Sequence, residues 1–270
     1  FGRMDLAALE DRLERGGVGT VVATLGTTAT GSVDPLPEIL ALRERYGFRL
    51  HADCAYGGYY TLASNLALPA RAAFDSLGSV DSIVIDPHKH GLQPYGCGCV
   101  LFRDAAVGKY YQHESPYTYF TSGDLHLGEI SLECSRPGAA AVALWATQRL
   151  LPLVRGGEFA GMLETCRASA LELHARLAVD ARFIVAFAPE LDIVVWAVRA
   201  ATAAGSSERA RVIFAEAARK DVHLALAELP VKFFHDRGNS LGGNETVACL
   251  RSVVMKPEHA SSIDRIMASL

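Results

Sequence analysis

Short apolar runs alternate with amphipathic segments in the first half of the chain. The apolar runs at 18–23, 48–50 and 82–85 predict buried strands. Residues 35–46 place apolar side chains at helical spacing behind a proline, which a first helical turn tolerates. Residues 5–15 predict another short amphipathic helix. The strand–helix–strand succession predicts a βαβ unit and therefore parallel strands in one sheet.

The second half is organised differently and predicts a separate unit. Two glycines at 156–157 mark a joint, so we expect a larger domain over residues 1–155 and a smaller one over residues 156–270. The other predicted elements are strands at 99–102, 183–188, 193–198, 222–226 and 247–255 and helices at 137–151, 158–178, 207–219 and 258–270. The expected fold class is α/β, with part of a large mixed or parallel-sheet domain followed by a small α+β domain.

Charge and hydropathy narrow the range of partners. The 270 residues carry a net charge of −4, and 50% of them are hydrophobic. This balance provides no electrostatic footprint for nucleic acid or an acidic membrane. No apolar run reaches the roughly 18 residues of a membrane-spanning helix. The mean hydropathy of +0.17 is on the apolar side for a globular chain, which predicts a buried interface.

The six cysteines predict neither a disulfide framework nor a metal site. Cys97 and Cys99 lie two residues apart on a predicted strand, and no second pair completes a zinc set. The other four are scattered among apolar residues. We therefore expect free buried thiols in a reducing compartment, which favours a cytoplasmic protein.

Three predicted strands are each followed by side chains that could serve one ligand. Thr28 follows the first strand, Asp53 the second and Lys89 the third. Because the carboxyl ends of parallel strands face one crevice, these side chains can converge. A carboxylate, a hydroxyl and a lysine are what pyridoxal phosphate requires of a protein. Ala55 points to the same side as Asp53 in an extended segment and is small enough to lie under a flat ring.

The segment around Lys89 has the features of a reactive-lysine turn. Asp86-Pro87 ends the third strand, because proline lacks the N–H that a strand ladder uses. His88 and Lys89 then project from the turn. An amine reacts as a nucleophile only when it is uncharged, a state that burial and a nearby cation both favour.

Three linked motifs resemble the fold-type-I, group II pyridoxal phosphate-dependent amino-acid decarboxylases. They are Gly26-Thr-Thr-x-x-Gly-x-x-Asp34, His51-x-Asp-x-Ala-Tyr-Gly-Gly58 and Asp86-Pro-His-Lys89, in the order and at the spacing of the family. The similarity continues through Ser135-Arg-Pro-Gly138 to the carboxyl end and covers essentially the whole chain.

The resemblance implies a role for each site residue. Lys89 would bind the cofactor covalently, and Asp53 would pair with its pyridine nitrogen. Thr28 would lie near the ring hydroxyl and Ala55 against one ring face. Asp86 and His88 would lie beside the phosphate.

The resemblance also implies parts that these 270 residues lack. Family members have a longer amino-terminal half, which holds a phosphate-binding pair of small residues and a histidine that stacks on the ring. We expect the present chain to assemble with that half, which is either a separate chain or a segment that has been removed from this one. Because family active sites form at a subunit interface, we also expect a homodimer or larger assembly.

A tyrosine-rich segment over 110–128 follows the last strand of the first unit. It is either an aromatic contact between subunits or a loop that closes over the substrate. Family enzymes use a loop tyrosine to protonate the carbanion that decarboxylation leaves, so Tyr117 and Tyr119 are both candidate catalytic residues.

The predicted function is α-decarboxylation of an L-amino acid to an amine and carbon dioxide. The residues after Lys89 resemble bacterial tyrosine decarboxylases, which favours an aromatic substrate. A carbon–carbon lyase of the sphingosine-phosphate type shares the His-Lys-x-Gly-x-x-Pro pattern at 88–94 and stays an alternative, as does a non-catalytic truncated homologue. Arg251, within an apolar strand, could bind a substrate carboxylate or form a core ion pair.

Overall fold

The first of two main sheets contains the strands that precede the site motifs. A computed structural model describes residues 2–112, 138–236, 239–243 and 245–270. Four strands lie in chain order in this sheet: β1 (Thr20–Thr24), β2 (Arg49–Asp53), β3 (Ser82–Ile85) and β4 (Cys99–Phe102). The first three are parallel and β4 is antiparallel to β3. The sheet is therefore mixed, which is one of the two arrangements expected from the sequence.

Three helices accompany this sheet and follow local sequence signals. Helix α1 (Leu6–Glu14) begins where the Asp5 carboxylate accepts hydrogen bonds from two backbone N–H groups, as its predicted capping position requires. Helix α2 (Leu36–Tyr46) ends at Gly47, whose left-handed φ of 71° suits glycine. Helix α3 (Leu68–Asp75) leads through a short 3-10 turn into β3.

The second sheet is antiparallel and consists of residues 183–185 (β5), 193–198 (β6), 246–253 (β10) and 225–230 (β7), in that spatial order. Its strand β6 is buried along its whole length, so both faces of the sheet are covered there. The elements of this part are helices α4 (Ala139–Leu150), α5 (Glu158–Val179), α6 (Ala203–Arg219) and α7 (Ile263–Ser269) and strands β5 (Phe183–Val185), β6 (Ile193–Val198), β7 (Ala225–Pro230), β8 (His235–Asp236), β9 (Asn239–Ser240) and β10 (Thr246–Val253). Strands β8 and β9 form a separate two-residue pairing.

One hydrophobic core joins the two sheets. It combines residues of the first sheet, such as Leu25 and Leu50, with Leu191 and Ile193 of the second part. A second cluster around Trp196 lies between α5, α6 and the antiparallel sheet. The first core extends across the predicted joint, and the domain boundary near residue 155 stays a prediction.

Most predicted elements are present, with differences at their ends. The predicted strand 183–188 is only three residues long. The strand expected at 222–226 begins later, at Ala225, and the helix expected at 207–219 begins earlier, because Thr202 caps its first turn. The carboxyl-terminal helix is interrupted, with a 3-10 turn over Pro257–Ser262 before α7. Capping and turn geometry, which weakly periodic sequences specify poorly, account for these shifts.

Strand β4 carries exposed apolar residues at one edge of the described sheet. Val100 and Leu101 are each 54% exposed, although consecutive strand residues point to opposite faces. Helix α4 exposes Val142 and Trp145, which lie three residues apart on one helical face. Apolar edges of this kind promote association.

Among the residues that the structure describes, no helix combines the length and the apolar character that crossing a membrane requires.

Candidate active site

The three predicted strand ends lie at one edge of the first sheet. Thr24, the last residue of β1, pairs with Asp53, the last residue of β2, and Asp53 pairs with Val84 of β3. Because all three strands are parallel, the segments that follow them leave the sheet on the same side. The structure thus brings together the three motifs that are separate in the sequence.

The loop after β1 is held by polar contacts that the sequence did not reveal. The buried Asp34 carboxylate accepts hydrogen bonds from the backbone N–H of Thr24 at 2.8 Å and of Met4 at 2.7 Å. Thr27 Oγ1 contacts Thr30 Oγ1 at 2.7 Å. Asp34 and Thr27 therefore shape the loop, whereas the neighbouring Thr28 is exposed and free to face a ligand.

Asp53 is half-buried, and its carboxylate uses only part of its capacity to accept hydrogen bonds from the described residues. Its Oδ1 accepts a hydrogen bond from the N–H of Ala55 at 3.1 Å, and Ala55 is itself half-buried. Within the described ranges, no lysine, arginine or histidine forms a salt bridge with this carboxylate. A carboxylate at a strand end without a cationic partner can accept a hydrogen bond from a protonated ring nitrogen.

The glycine after Tyr56 allows two site segments to pack directly on each other. A Cβ placed on Gly57 would lie 2.1 Å from the carbonyl oxygen of Leu25. Any side chain there would push the loop after β2 away from the loop after β1. The Tyr-Gly-Gly part of the motif therefore serves close backbone approach rather than chemistry.

Lys89 lies in a turn closed by several hydrogen bonds. Its Nζ lies 3.0 Å from Oδ2 of Asp86, and its backbone N–H donates to the Asp86 carbonyl at 2.9 Å. His88 Nε2 lies 3.6 Å from the same Oδ2, while His88 Nδ1 donates to the carbonyl oxygen of Cys97 at 2.8 Å. The N–H of Asp86 donates to the Ala55 carbonyl at 3.3 Å, which ties this turn to the Asp53 segment.

The charge beside Lys89 differs from the sequence-based expectation. A cation beside Lys89 would favour its uncharged form, but among the described residues the charged group that contacts Nζ is the Asp86 carboxylate. This occurs because the turn places residues 86 and 89 side by side. The side chain of Lys89 also keeps 31% of its surface exposed, so burial is incomplete among the described residues.

Two further polar residues of the site were missed by the sequence reasoning. His90 and Asp192 form a buried contact of 2.7 Å behind the Lys89 turn, and Tyr56 donates to the same carboxylate at 2.6 Å. The available signal was a charged residue, Asp192, directly before the apolar strand β6. Residues 90 and 192 are too distant in sequence for local patterns to pair them.

Arg251 lies on β10 near this buried carboxylate. Burial lowers the pKa of its guanidinium, and the proximity of Tyr56 and Asp192 acts in the opposite direction. Its Nε is buried and has no hydrogen-bond partner in the part of the chain that the structure describes. The two candidate catalytic tyrosines, Tyr117 and Tyr119, lie outside the described residues.

The fold of the chain matches those of solved structures. The chain superposes on a crystal structure of Oryza sativa TDC with PLP and tryptamine with a TM-score of 0.78 and 21% identity, covering 98% of this chain and 54% of that one. Mouse CSAD in apo form gives a TM-score of 0.78 and 22% identity, covering 99% of this chain and 55% of that one. These matches establish the fold.

Sequence comparison then gives the family. Residues 3–199 match the pyridoxal-dependent decarboxylase conserved domain, so the chain belongs to that family, as the three motifs predicted. It is 40% identical over 120 residues to aspartate 1-decarboxylase of Aliivibrio fischeri, covering 44% of this chain and 21% of that protein. It is 31% identical over 191 residues to L-tyrosine decarboxylase of Enterococcus faecium, covering 56% and 31%.

The chain spans less than half the length of these curated relatives. A probable L-tyrosine/L-aspartate decarboxylase of Methanopyrus kandleri is 35% identical over 185 residues, which cover 66% of this chain and 47% of that protein. The solved neighbours are likewise covered to about half, namely 54% and 55%.

Proposed function

We propose that this chain forms part of an enzyme that decarboxylates an L-amino acid at its α carbon with pyridoxal phosphate. The observation that supports the proposal is that three parallel strands end at one edge of the sheet, next to the segments that contain Thr28, Asp53 and Lys89. Membership of the pyridoxal-dependent decarboxylase family supports the same chemistry.

The residues present fit this cofactor. Asp53 has a carboxylate oxygen free of any cation in the described ranges, which suits a protonated pyridine nitrogen. Ala55 is small and half-buried beside it, so it leaves room for a ring. Thr28 offers an exposed hydroxyl for the ring oxygen, and Lys89 offers a partly exposed amine. His88 would lie beside the phosphate; Asp86, an anion paired with Lys89, fits that position less well.

When bound, the cofactor would accept the electron pair that departing carbon dioxide leaves behind. The Asp53 carboxylate would keep a proton on the ring nitrogen and so maintain the positive charge that attracts those electrons. Lys89 would bind the cofactor covalently and give up its contact with Asp86 to do so. Tyr117 and Tyr119 stay candidates for returning a proton to the α carbon.

The similar proteins are named as decarboxylases of aspartate, of tyrosine or of both, so their names do not identify one amino acid as the substrate. We propose an aromatic, tyrosine-like substrate on the resemblance of the segment after Lys89. For the substrate carboxylate we propose Arg251, because its buried Nε lacks a partner among the described residues. The core ion-pair alternative is less favoured, since Asp192 already accepts from His90 and Tyr56.

We further propose that the rest of the family's domain and a second copy of the enzyme cover the apolar edge of β4 and the exposed face of α4. Val100, Leu101, Val142 and Trp145 would then be buried, which removes an unfavourable apolar surface from water. We also propose a cytoplasmic location, because free thiols are typical of proteins in a reducing compartment.

The test is a product assay on the native, cofactor-loaded protein. Tyrosine, phenylalanine, tryptophan, aspartate, glutamate and 2,4-diaminobutyrate are supplied separately, and carbon dioxide and amine are quantified. Release of both in equal amounts from an aromatic substrate is the expected result. A phosphorylated amino alcohol is supplied as well, and release of an aldehyde from it would instead establish a carbon–carbon lyase. Absence of any product, with the cofactor bound, would identify a non-catalytic homologue.

A further inference from the structure

The residue directly after Lys89 is held more tightly than Lys89 itself. The His90 side chain is 1% exposed, and its ring meets the Tyr56 and Tyr60 rings edge-on at 4.7 and 5.2 Å. Its Nδ1 lies 2.9 Å from the carbonyl oxygen of Tyr56, and its Nε2 lies 2.7 Å from Oδ2 of Asp192. Both ring nitrogens therefore face acceptors.

These contacts surround the His90 ring with oxygen atoms. A carbonyl oxygen can only accept, so Nδ1 of His90 donates to Tyr56. Burial raises the pKa of Asp192, but its contact with His90 and the tyrosine hydroxyls outweigh burial and leave that pKa below its ordinary value. His90 and Asp192 therefore form a buried, hydrogen-bonded pair.

The pair connects parts of the chain that are far apart in sequence. His90 belongs to the turn that follows β3, Tyr56 to the segment that follows β2, and Asp192 directly precedes β6 of the second sheet. The carbonyl oxygen of Asp192 also accepts from the N–H of Val254, beyond the end of β10. Asp192 is thus linked to the second sheet through its backbone carbonyl and to the Lys89 turn through its side-chain carboxylate.

The turn needs such a restraint because its backbone is strained. Leu92 has a φ of 59°, in the left-handed region that a leucine seldom adopts. Gly91 is packed so closely that a Cβ would lie 2.4 Å from the Tyr59 hydroxyl and 2.6 Å from Pro87 Cα. Strained conformations persist only where surrounding contacts over-determine them. His90 supplies one such contact, because its ring is hydrogen-bonded to Tyr56 and Asp192.

We propose that the buried His90–Asp192 contact positions Lys89, by fixing the turn that bears it to the second sheet. The orientation of Lys89 then depends on how that sheet docks against the first. His90 and Asp192 are positioning residues in this scheme, and neither needs to touch substrate or cofactor. The proposal rests on the proposed function only in taking Lys89 as the reactive residue.

The test measures local backbone opening by hydrogen–deuterium exchange in the native protein without added cofactor. Asp192→Ala removes the acceptor. Asp192→Asn keeps a polar partner for a neutral His90 ring but removes the charge. Glu164→Ala is the matched control, because Glu164 accepts from the N–H and Oγ of Ser64 at 2.7 Å and so also links the two parts, but near the surface.

Exchange of amides over 86–93 should rise at least about tenfold in Asp192→Ala, since the buried His90 ring would lose its partner. Asp192→Asn should fall between Asp192→Ala and the wild type, and Glu164→Ala should leave this segment unchanged. If Asp192→Ala does not fold, the comparison is made with Asp192→Asn instead. Equal exchange of 86–93 in the Asp192 variants and the control would overturn the proposal.

A second readout separates this proposal from the proposed function. Labelling of Lys89 by an amine reagent, followed by peptide mapping, reports its accessibility without any turnover. The rate should change in Asp192→Ala but not in Glu164→Ala. If exchange and labelling respond while no decarboxylation is found, the positioning role stands and the proposed function fails. If neither responds in an active enzyme, the positioning role fails alone.

Discussion

Lys89 Nζ lies 3.0 Å from Oδ2 of Asp86, so the proposed reactive amine forms an ion pair with a carboxylate from its own turn. The two residues are three apart, and the Pro87 turn brings them together on one side. The contact holds the lysine side chain close to the carboxyl end of β3. Because both side chains are partly exposed, we treat it as a positional restraint rather than a large source of stability.

Lys89 is expected to carry the cofactor in the assembled protein. Reduction with borohydride followed by peptide mapping should find the pyridoxyl group on Lys89. Lys89→Arg should abolish the adduct, because a guanidinium remains protonated and does not react in this way. Lys109→Arg, the same change at an exposed lysine, should leave it intact. An adduct on another lysine would refute the assignment.

Asp53→Asn should reduce turnover on the order of 100-fold, as expected when a fixed charge near the reacting centre is removed. Cofactor binding should fall much less, because Lys89 stays in place. The measurement compares kcat with the absorbance of the bound cofactor. Asp104→Asn, at an exposed 3-10 helix cap, is the control. Parallel losses of absorbance and turnover would indicate that Asp53 is mainly structural.

Gly57→Ala should destabilise the fold by at least about 3 kcal/mol, since the new Cβ would lie 2.1 Å from a backbone oxygen that has little freedom to move. Urea unfolding of the native protein measures the change. Gly161→Ala is the control, because that helical glycine meets nothing within 4 Å. It should stabilise by up to about 1 kcal/mol. Similar midpoints for the two variants would contradict the packing argument.

Buried thiols should resist alkylation until the protein unfolds. Burial raises the pKa of Cys54, Cys166 and Cys249 to about 12. At pH 8 the thiolate fraction is therefore on the order of 10⁻⁴, and it rises about tenfold for each pH unit. Iodoacetamide should label Cys99, which is half-buried, before these three. Rapid labelling of Cys54 in the folded protein at pH 8 would disprove the prediction.

The native particle should be larger than the 28.9 kDa chain and at least a dimer. Light scattering beside a denaturing gel gives the mass and shows whether another polypeptide accompanies the chain. Leu101→Asp on the β4 edge should weaken the assembly, because a charge would have to be buried. Leu68→Asp, on α3 and also exposed, should not. A stable, cofactor-loaded monomer of this chain alone would refute the idea.

Local sequence predicted most of the first sheet and the turn after it. Strands β3 and β4 were bounded correctly, because a proline and several glycines interrupt the apolar runs on either side. The parallel pairing of β1 and β2 followed from the helix predicted between them. The family also followed from sequence, since three motifs at fixed spacing carry more information than any single one.

Contacts between polar residues that are distant in the chain were decided by the tertiary structure alone. His90 and Asp192 are 102 residues apart, and nothing near either residue indicates the other. The same holds for Gly57 and Leu25, whose close approach explains the glycine only once the two loops are seen together. Sequence periodicity reports the local direction of side chains, whereas a buried contact between distant residues depends on how two sheets pack. The sequence therefore determined the order of the strands and the chemistry of the segments after them, and packing determined that His90 lies against Asp192.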